Sequence, residues 1–352
     1  MRRPELPTIA DVRADAEHCS YNAKLCRFAC PVATATGKES VTPWGINRAL
    51  TAAAKAGAVS EATAAAVYGC TGCRSCGSVC LPGLDLPTHV RAARADVVAA
   101  GLAPAGVERA AGRACPPADE LVAGATPGAG TVVYPGCRSG DGPALAALLR
   151  AAEEPYDVVA GATCCGARSV DVGHAERGMA EAADLAGRLQ DATAAVVADP
   201  HCARWLRVDH ADPRVVALPS FLAGLVDRLT PHLSAPPDRP VAWHDPCWLA
   251  RGMAIHDDPR TVLAATGAPV VEPPHTRDHT GCTGGGMGYP EADPAGAEAI
   301  LSARADELRL ALGGAGTVVT ACPNAAERLR GAGLDAHDLA GWLATRLDTE
   351  RP

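Results

Sequence analysis

Cys70, Cys73, Cys76 and Cys80 lie in the run Cys-Thr-Gly-Cys-Arg-Ser-Cys-Gly-Ser-Val-Cys-Leu-Pro, a C-x-x-C-x-x-C-x-x-x-C spacing. Three thiolates on one tight loop can hold three corners of a 4Fe-4S cube, and in two-cluster proteins the fourth cysteine ligates the other cube. That chemistry predicts a second cysteine group. Cys19, Cys26 and Cys30 provide one upstream, and Pro31 follows Cys30 directly, as the bacterial pattern has it. A zinc ribbon is the alternative, but it uses two separated C-x-x-C pairs, which uniform spacing with a distant fourth cysteine fits poorly.

The 352 residues carry 15 cysteines and a formal net charge of −8. Clusters held by thiolates add negative charge, so nucleic acid is excluded as a partner. No apolar run approaches the ~18 to 20 residues that cross a bilayer, and Met-Arg-Arg-Pro is not followed by the apolar segment of a secretory or twin-arginine signal. Cysteines in dense groups without a signal peptide read as metal ligands in a reducing compartment rather than as a disulfide scaffold. The expected setting is cytoplasmic, with any peripheral association with the inner membrane made through a partner or a surface patch.

Helices must position the cysteine groups. The stretch from Pro43 to Val67 has a helical composition, and Pro87 opens another helix toward Gly101. Residues 1 to about 15 read as a polar lead-in, and residues 102–130, rich in Pro, Gly and Ala, as a linker. Beyond it, short β-branched runs alternate with amphipathic stretches. Thr131–Tyr134, Tyr156–Val159, Ala194–Ala198 and Val215–Leu218 read as strands, with helices near 143–153, 174–190, 202–208 and 220–230. Val241–His244, Pro269–Glu272 and Thr317–Thr320 repeat the pattern, with helices near 258–266, 292–312, 324–332 and 338–347. Such alternation argues a parallel α/β sheet made twice.

The repeat is plainest where cysteines follow strands. Tyr134-Pro-Gly-Cys137 answers His244-Asp-Pro-Cys247, Cys164-Cys165-Gly166 answers Gly281-Cys282-Thr283, and Asp199-Pro-His-Cys202 answers Cys322-Pro-Asn-Ala325. All lie at the carboxyl ends of strands, the edge at which open parallel sheets collect ligands.

These motifs resemble the tandem CCG-domain (cysteine-rich) iron-sulfur oxidoreductase subunits. That family includes heterodisulfide reductase subunits and the iron-sulfur subunits of anaerobic glycerol-3-phosphate dehydrogenase, glycolate oxidase and lactate-utilisation systems. The resemblance implies an α + α/β fold. Residues 1–101 would be a helical ferredoxin-type domain, 131–235 a first Rossmann-like CCG repeat, and 236–352 a second, degenerate one.

Ligand sets follow from that pattern. Cys70, Cys73, Cys76 and Cys30 make one complete 4Fe-4S set. Cys19, Cys26 and Cys80 make a second, with Asn22 where a fourth cysteine is expected; a cube with one unusual ligand, a three-iron cluster and a lost site all remain open. The first repeat keeps Cys137, Cys164, Cys165 and Cys202 but has Asp199 in the opening place of Cys-Pro-x-Cys, enough for a further cluster or zinc. The second keeps Cys247, Cys282 and Cys322, with Gly281 and Ala325 at cysteine places.

The resemblance implies an electron-transfer subunit working between a flavin-containing dehydrogenase or oxidase and a quinone-linked or disulfide acceptor. Catalytic heterodisulfide-type reduction and a non-enzymatic sensor or scaffold are the alternatives. His201, His244 and His279 lie near cysteines but read as hydrogen-bonded loop histidines, and lone Cys115 as chemically idle. Gly284-Gly-Gly-Met-Gly288 lacks the ending of a phosphate loop and reads as the glycine tail of the second CCG motif, where small residues let backbone N–H groups approach sulfur.

Overall fold

The computed structural model describes residues 6–111, 119–136, 142–159 and 163–348. Cys115 and Cys137 lie outside the described residues.

The amino-terminal part is helical. The polar lead-in is in fact a helix, Ile9–Cys19, started by a capping box between Thr8 and Asp11. It packs on Pro43–Ala56, which begins with Pro at its first turn under a Thr42 cap. The helical stretch expected from Pro43 to Val67 breaks in two. Gly57, at φ 68°, closes the first helix in the left-handed conformation, and a Ser60 capping box starts Glu61–Val67. Leu86–Ala99 completes the group, and Ile46, Leu50, Val67, Val90 and Val97 form its core. The segment expected as a linker also contains helices, Ala105–Ala111 and Asp119–Val122. The first of these packs on Tyr289–Ala292 of the second repeat.

Two four-stranded parallel sheets follow. The first comprises β1 (Thr131–Tyr134), β2 (Asp157–Val158), β3 (Ala194–Val197) and β4 (Val215–Ala217), in the order β2-β1-β3-β4. The second comprises β5 (Val241–Trp243), β6 (Val270–Val271), β7 (Thr317–Thr320) and β8 (Ala336–Asp338), in the order β6-β5-β7-β8. The orders are identical, so the repeat seen in the cysteine motifs is a repeat of topology. β8 is an addition to the expected strands, because Ala-His-Asp has no β-branched residue and takes its strand form from pairing with β7. The chain reverses strand order between β1 and β3, and between β5 and β7, which are the switch points where such sheets bind ligands. Cys137 and Cys202 follow β1 and β3; Cys247 and Cys322 follow β5 and β7.

The repeats face each other with reciprocal packing. Leu218–Gly224, closing the first repeat, packs on Asp258–Ala265 of the second, while Leu339–Ala344, closing the second, packs on Gly142–Ala151 of the first. One apolar core runs through both, from Val133, Leu149 and Val196 to Trp243, Val319 and Trp342. Among the described residues no helix is long and apolar enough to cross a membrane.

Candidate metal centres

Cys30, Cys70, Cys73 and Cys76 line one small enclosed cavity together with Val32, Ile46 and Leu86. Two turns and a helix start deliver them. Cys30 caps the helix Pro31–Thr36, its sulfur accepting from Ala33 N at 3.5 Å. Cys70 opens a Cys-x-Gly turn in which its sulfur accepts from Gly72 N at 3.4 Å. The same turn recurs at Cys164, with Gly166 N at 3.4 Å, and at Cys282, with Gly284 N at 3.2 Å. All three glycines have positive φ, which explains why glycine follows each cysteine by two residues.

Burial pushes the Cys30 thiol up to about 12 and the Cys70 thiol up to about 11, and neighbouring thiols in the set add to both. Thiols so placed become thiolates only when a cationic centre binds them. The surroundings fit an anionic metal-thiolate group, because buried guanidinium nitrogens of Arg74 and Arg251 beside this loop have no hydrogen-bond partner. Among the described residues no three Cys, His, Asp or Glu side chains are gathered closely enough for a single metal ion. A cube differs in need, since each of its thiolates binds a separate iron.

Cys19, Cys26 and Cys80 form the other group. Burial raises Cys19 and Cys26, and Cys80 faces both closely enough to repel their thiolates. Asn22 does not turn toward them; its amide donates to His18 O at 2.8 Å on an exposed turn. The residue hydrogen-bonded to Cys19 is instead the buried Asn47, whose Oδ1 pairs with His89 Nδ1 at 2.8 Å. His89 in turn faces Asp15 at 3.6 Å. No motif in the sequence marks Asn47; its only signal is a polar residue on the apolar face of the helix Pro43–Ala56. Around this group, Tyr21, Phe28 and Leu81 are 90%, 82% and 90% exposed.

In the first repeat, Cys165 and Cys202 are buried with sulfurs 3.1 Å apart. The Asp199 carboxylate accepts from the backbone N–H groups of His201 and Cys202 at 2.8 and 3.4 Å, so the residue in the cysteine place caps the helix Pro200–Arg204. Cys165, Asp199 and Cys202 line a narrow cavity whose opposite wall carries Cys322 and Asn324 of the second repeat. His201 stacks on Trp248 at 4.6 Å and pairs with Asp171 at 2.8 Å, tying the repeats together. His244 is buried and accepts from Arg304 at 3.2 Å. Burial and the Arg304 charge hold its pKa well below the usual histidine range. His279 lines an open cleft of about 700 Å³ between the amino-terminal helices and the second repeat, where Cys30 and Cys282 also surface.

The second repeat presses on the complete thiol set. A Cβ on Gly286 would stand 2.2 Å from Thr71 O, so only glycine permits the approach. Arg251 Nε donates to Cys73 O at 2.6 Å. Arg94, 0% exposed, donates to the carbonyls of Val67, Cys70, Asp171 and Met287, joining the helical part to both repeats.

Residues 15–84 match the 4Fe-4S dicluster domain family, and residues 131–207 and 241–325 each match the cysteine-rich domain family. The chain is 31% identical over 173 residues to a probable membrane-anchored ferredoxin of Chromohalobacter salexigens, covering 45% of this chain and 26% of that protein. It is 27% identical over 281 residues to a subunit of the fumarate reductase (CoM/CoB) of Methanothermobacter marburgensis, covering 73% of this chain and 55% of that protein. It thus spans about a quarter and about half of these relatives' lengths. No solved structure matches it significantly.

Proposed function

The chain belongs with the iron-sulfur proteins that join a 4Fe-4S dicluster domain to tandem cysteine-rich domains, and on that premise we propose an electron-transfer subunit of a multicomponent oxidoreductase. It relays electrons between a flavin-containing dehydrogenase or oxidase and a quinone-linked or disulfide acceptor. In this reading residues 1–101 are the ferredoxin-type domain and 131–235 and 236–352 the two CCG repeats. Cys30, Cys70, Cys73 and Cys76 hold one cube, and Cys19, Cys26 and Cys80 hold the second cluster. Cys137, Cys164, Cys165 and Cys202 form a first CCG metal site, for a cluster or zinc, while the second set, Cys247, Cys282 and Cys322, is divided between the neighbourhood of Cys73 and the cavity of the first repeat.

A 4Fe-4S cluster supplies one-electron transfer, while a flavin converts it from the two-electron chemistry of a substrate. The observation that carries the reading is the adjacency of two thiol groups on shared turns. Cys26 and Cys30 bracket one helical turn, Cys76 and Cys80 another, and Cys76 lies close enough to Cys26 for their charges to interact. Exposed Tyr21, Phe28 and Leu81 lie within two residues of Cys19, Cys26 and Cys80 in the chain, and exposed apolar side chains of this kind mark docking sites. Iron counting and low-temperature EPR on anaerobically purified protein test the reading: about eight irons with cubane signals are expected for two clusters. Absence of any reducible cluster would sink it.

A disulfide-reducing reading draws on the Cys165–Cys202 pair and the Cys322 facing their cavity. Iron well above about eight with a noncubane signal, together with disulfide turnover, would favour it.

A further inference from the structure

Of the three thiols kept by the second repeat, Cys247 and Cys282 both lie near Cys73, and Cys322 stands apart. Cys322 opens on the cavity of the first repeat, whereas Cys282 is turned to the loop of the complete thiol set. Its sulfur lies 3.7 Å from Thr71 Oγ1 and hydrogen-bonds with the side chain of Cys73. The approach is built rather than incidental. Gly284 N fixes the Cys282 sulfur at 3.2 Å, Gly286 admits the Thr71 carbonyl, and Arg251 grips Cys73 O. The neighbouring CCG position is Gly281, packed against Arg304, so Cys282 has no vicinal cysteine to pair with.

We propose that Cys282 is a fifth thiol of the complete set, a stand-in ligand that takes the iron position of Cys73 when that bond is lost. The inference rests on the ligand set Cys30, Cys70, Cys73 and Cys76 proposed above. The exchange is balanced within the protein. The bond from iron to the Cys73 sulfur breaks, a bond from the Cys282 sulfur forms, and the Cys282 proton passes to the departing Cys73 thiolate. No electron moves and no outside reagent is consumed. The exchange is favoured because the Cys282 side chain, 3.7 Å from Thr71 Oγ1, already pairs with that of Cys73, so its effective concentration at that position is far above that of any free thiol. The second repeat, short of cysteines for a full site of its own, has in this account become part of the cluster's housing.

The test uses the full chain, purified anaerobically, with Cys70→Ala, Cys73→Ala, Cys282→Ala and the Cys73→Ala/Cys282→Ala double variant, read by iron and sulfide counts and EPR. Cys70→Ala has no stand-in and is expected to lose about four irons. Cys73→Ala is expected to keep them, and the double variant to lose them. Loss in Cys73→Ala equal to that in Cys70→Ala, with the α/β part folded by circular dichroism, overturns the stand-in role. Retention in Cys70→Ala overturns the ligand set itself. If Cys73→Ala fails to fold, Cys282→Ala decides alone. Removing the S–H partner of Cys73 is expected to shift the iron–sulfur stretching bands and EPR line shape of the complete set, and unchanged spectra overturn the proposal.

Discussion

The two thiol groups of the amino-terminal part are assembled from the same pair of turns and end in opposite environments. Cys30, Cys70, Cys73 and Cys76 enclose a cavity walled by aliphatic side chains and covered by the second repeat. Cys19, Cys26 and Cys80 have exposed Tyr21, Phe28 and Leu81 within two residues of them in the chain, and Cys19 is hydrogen-bonded by the Asn47 side chain. Position in the chain explains the division. Crossed cysteines put one member of each motif in the other group, so the two sites stay adjacent while only one meets the α/β repeats. An electron carrier benefits from both, since one centre is packed against the second repeat and the other lies away from it, within reach of a partner.

Changes that break this comparison have graded effects. Cys76→Ala removes a ligand with no stand-in, so the covered centre should lose about four irons while the Cys19 group keeps its own, read by iron analysis and EPR. Loosening the junction of the helical part with the first repeat should be next in size. Asp171 and Arg91, both buried, pair at 2.7 Å between the first repeat and the helix Leu86–Ala99. Asp171→Asn should cost up to about 3 kcal/mol in denaturant unfolding, because it removes the nearer of the two carboxylates that balance the buried Arg91, leaving Asp209 at 3.5 Å. It should also speed removal of iron by chelators.

The same pair sets an acid limit. Burial alone would raise the Asp171 carboxyl, but Arg91 and His201 outweigh it and hold the group well below the usual carboxylate range. A depressed pKa contributes stability above the unfolded value of about 3.9 and loses it as pH falls toward the folded value. Wild-type stability should therefore fall through this acid window more steeply than that of Asp171→Asn.

Asn47→Ala sharpens the comparison from the other side. Losing one hydrogen bond of about 1 kcal/mol should move the potential of the Cys19 group by roughly 40 mV and leave the covered centre unchanged, as a redox titration followed by EPR would read. The smallest effect on the fold should come from Phe28→Glu. Stability should change by no more than about 0.5 kcal/mol, while electron transfer to or from the partner slows.

Much of this is legible in the residues. Cysteine spacing marks the loop 70–80, and β-branched runs mark seven of the eight strands among the described residues, because buried parallel strands must be apolar. The helix Ile9–Cys19 is readable in principle, since Thr8 and Asp11 form a capping box and Ile9, Val12 and Ala16 make a buried stripe. Other features have no local signal. Asn47 serves Cys19 only because the helix Pro43–Ala56 packs on Ile9–Cys19. Cys282 meets Cys73 across 209 residues of chain, through a glycine run whose use is visible only once Thr71 is seen against it. Sequence periodicity reports how each segment is buried, and it cannot report which distant segment does the burying.

Arg94 bears on the timing of synthesis. Its guanidinium completes its bonds only when Met287, 193 residues later, has been made and folded. At about 5–20 residues per second, the loop holding Cys70 and Cys73 waits roughly 10–40 s on the ribosome before the second repeat can close over it. A metal centre destined to be covered is thus accessible first and sealed afterwards, in the order its loading requires.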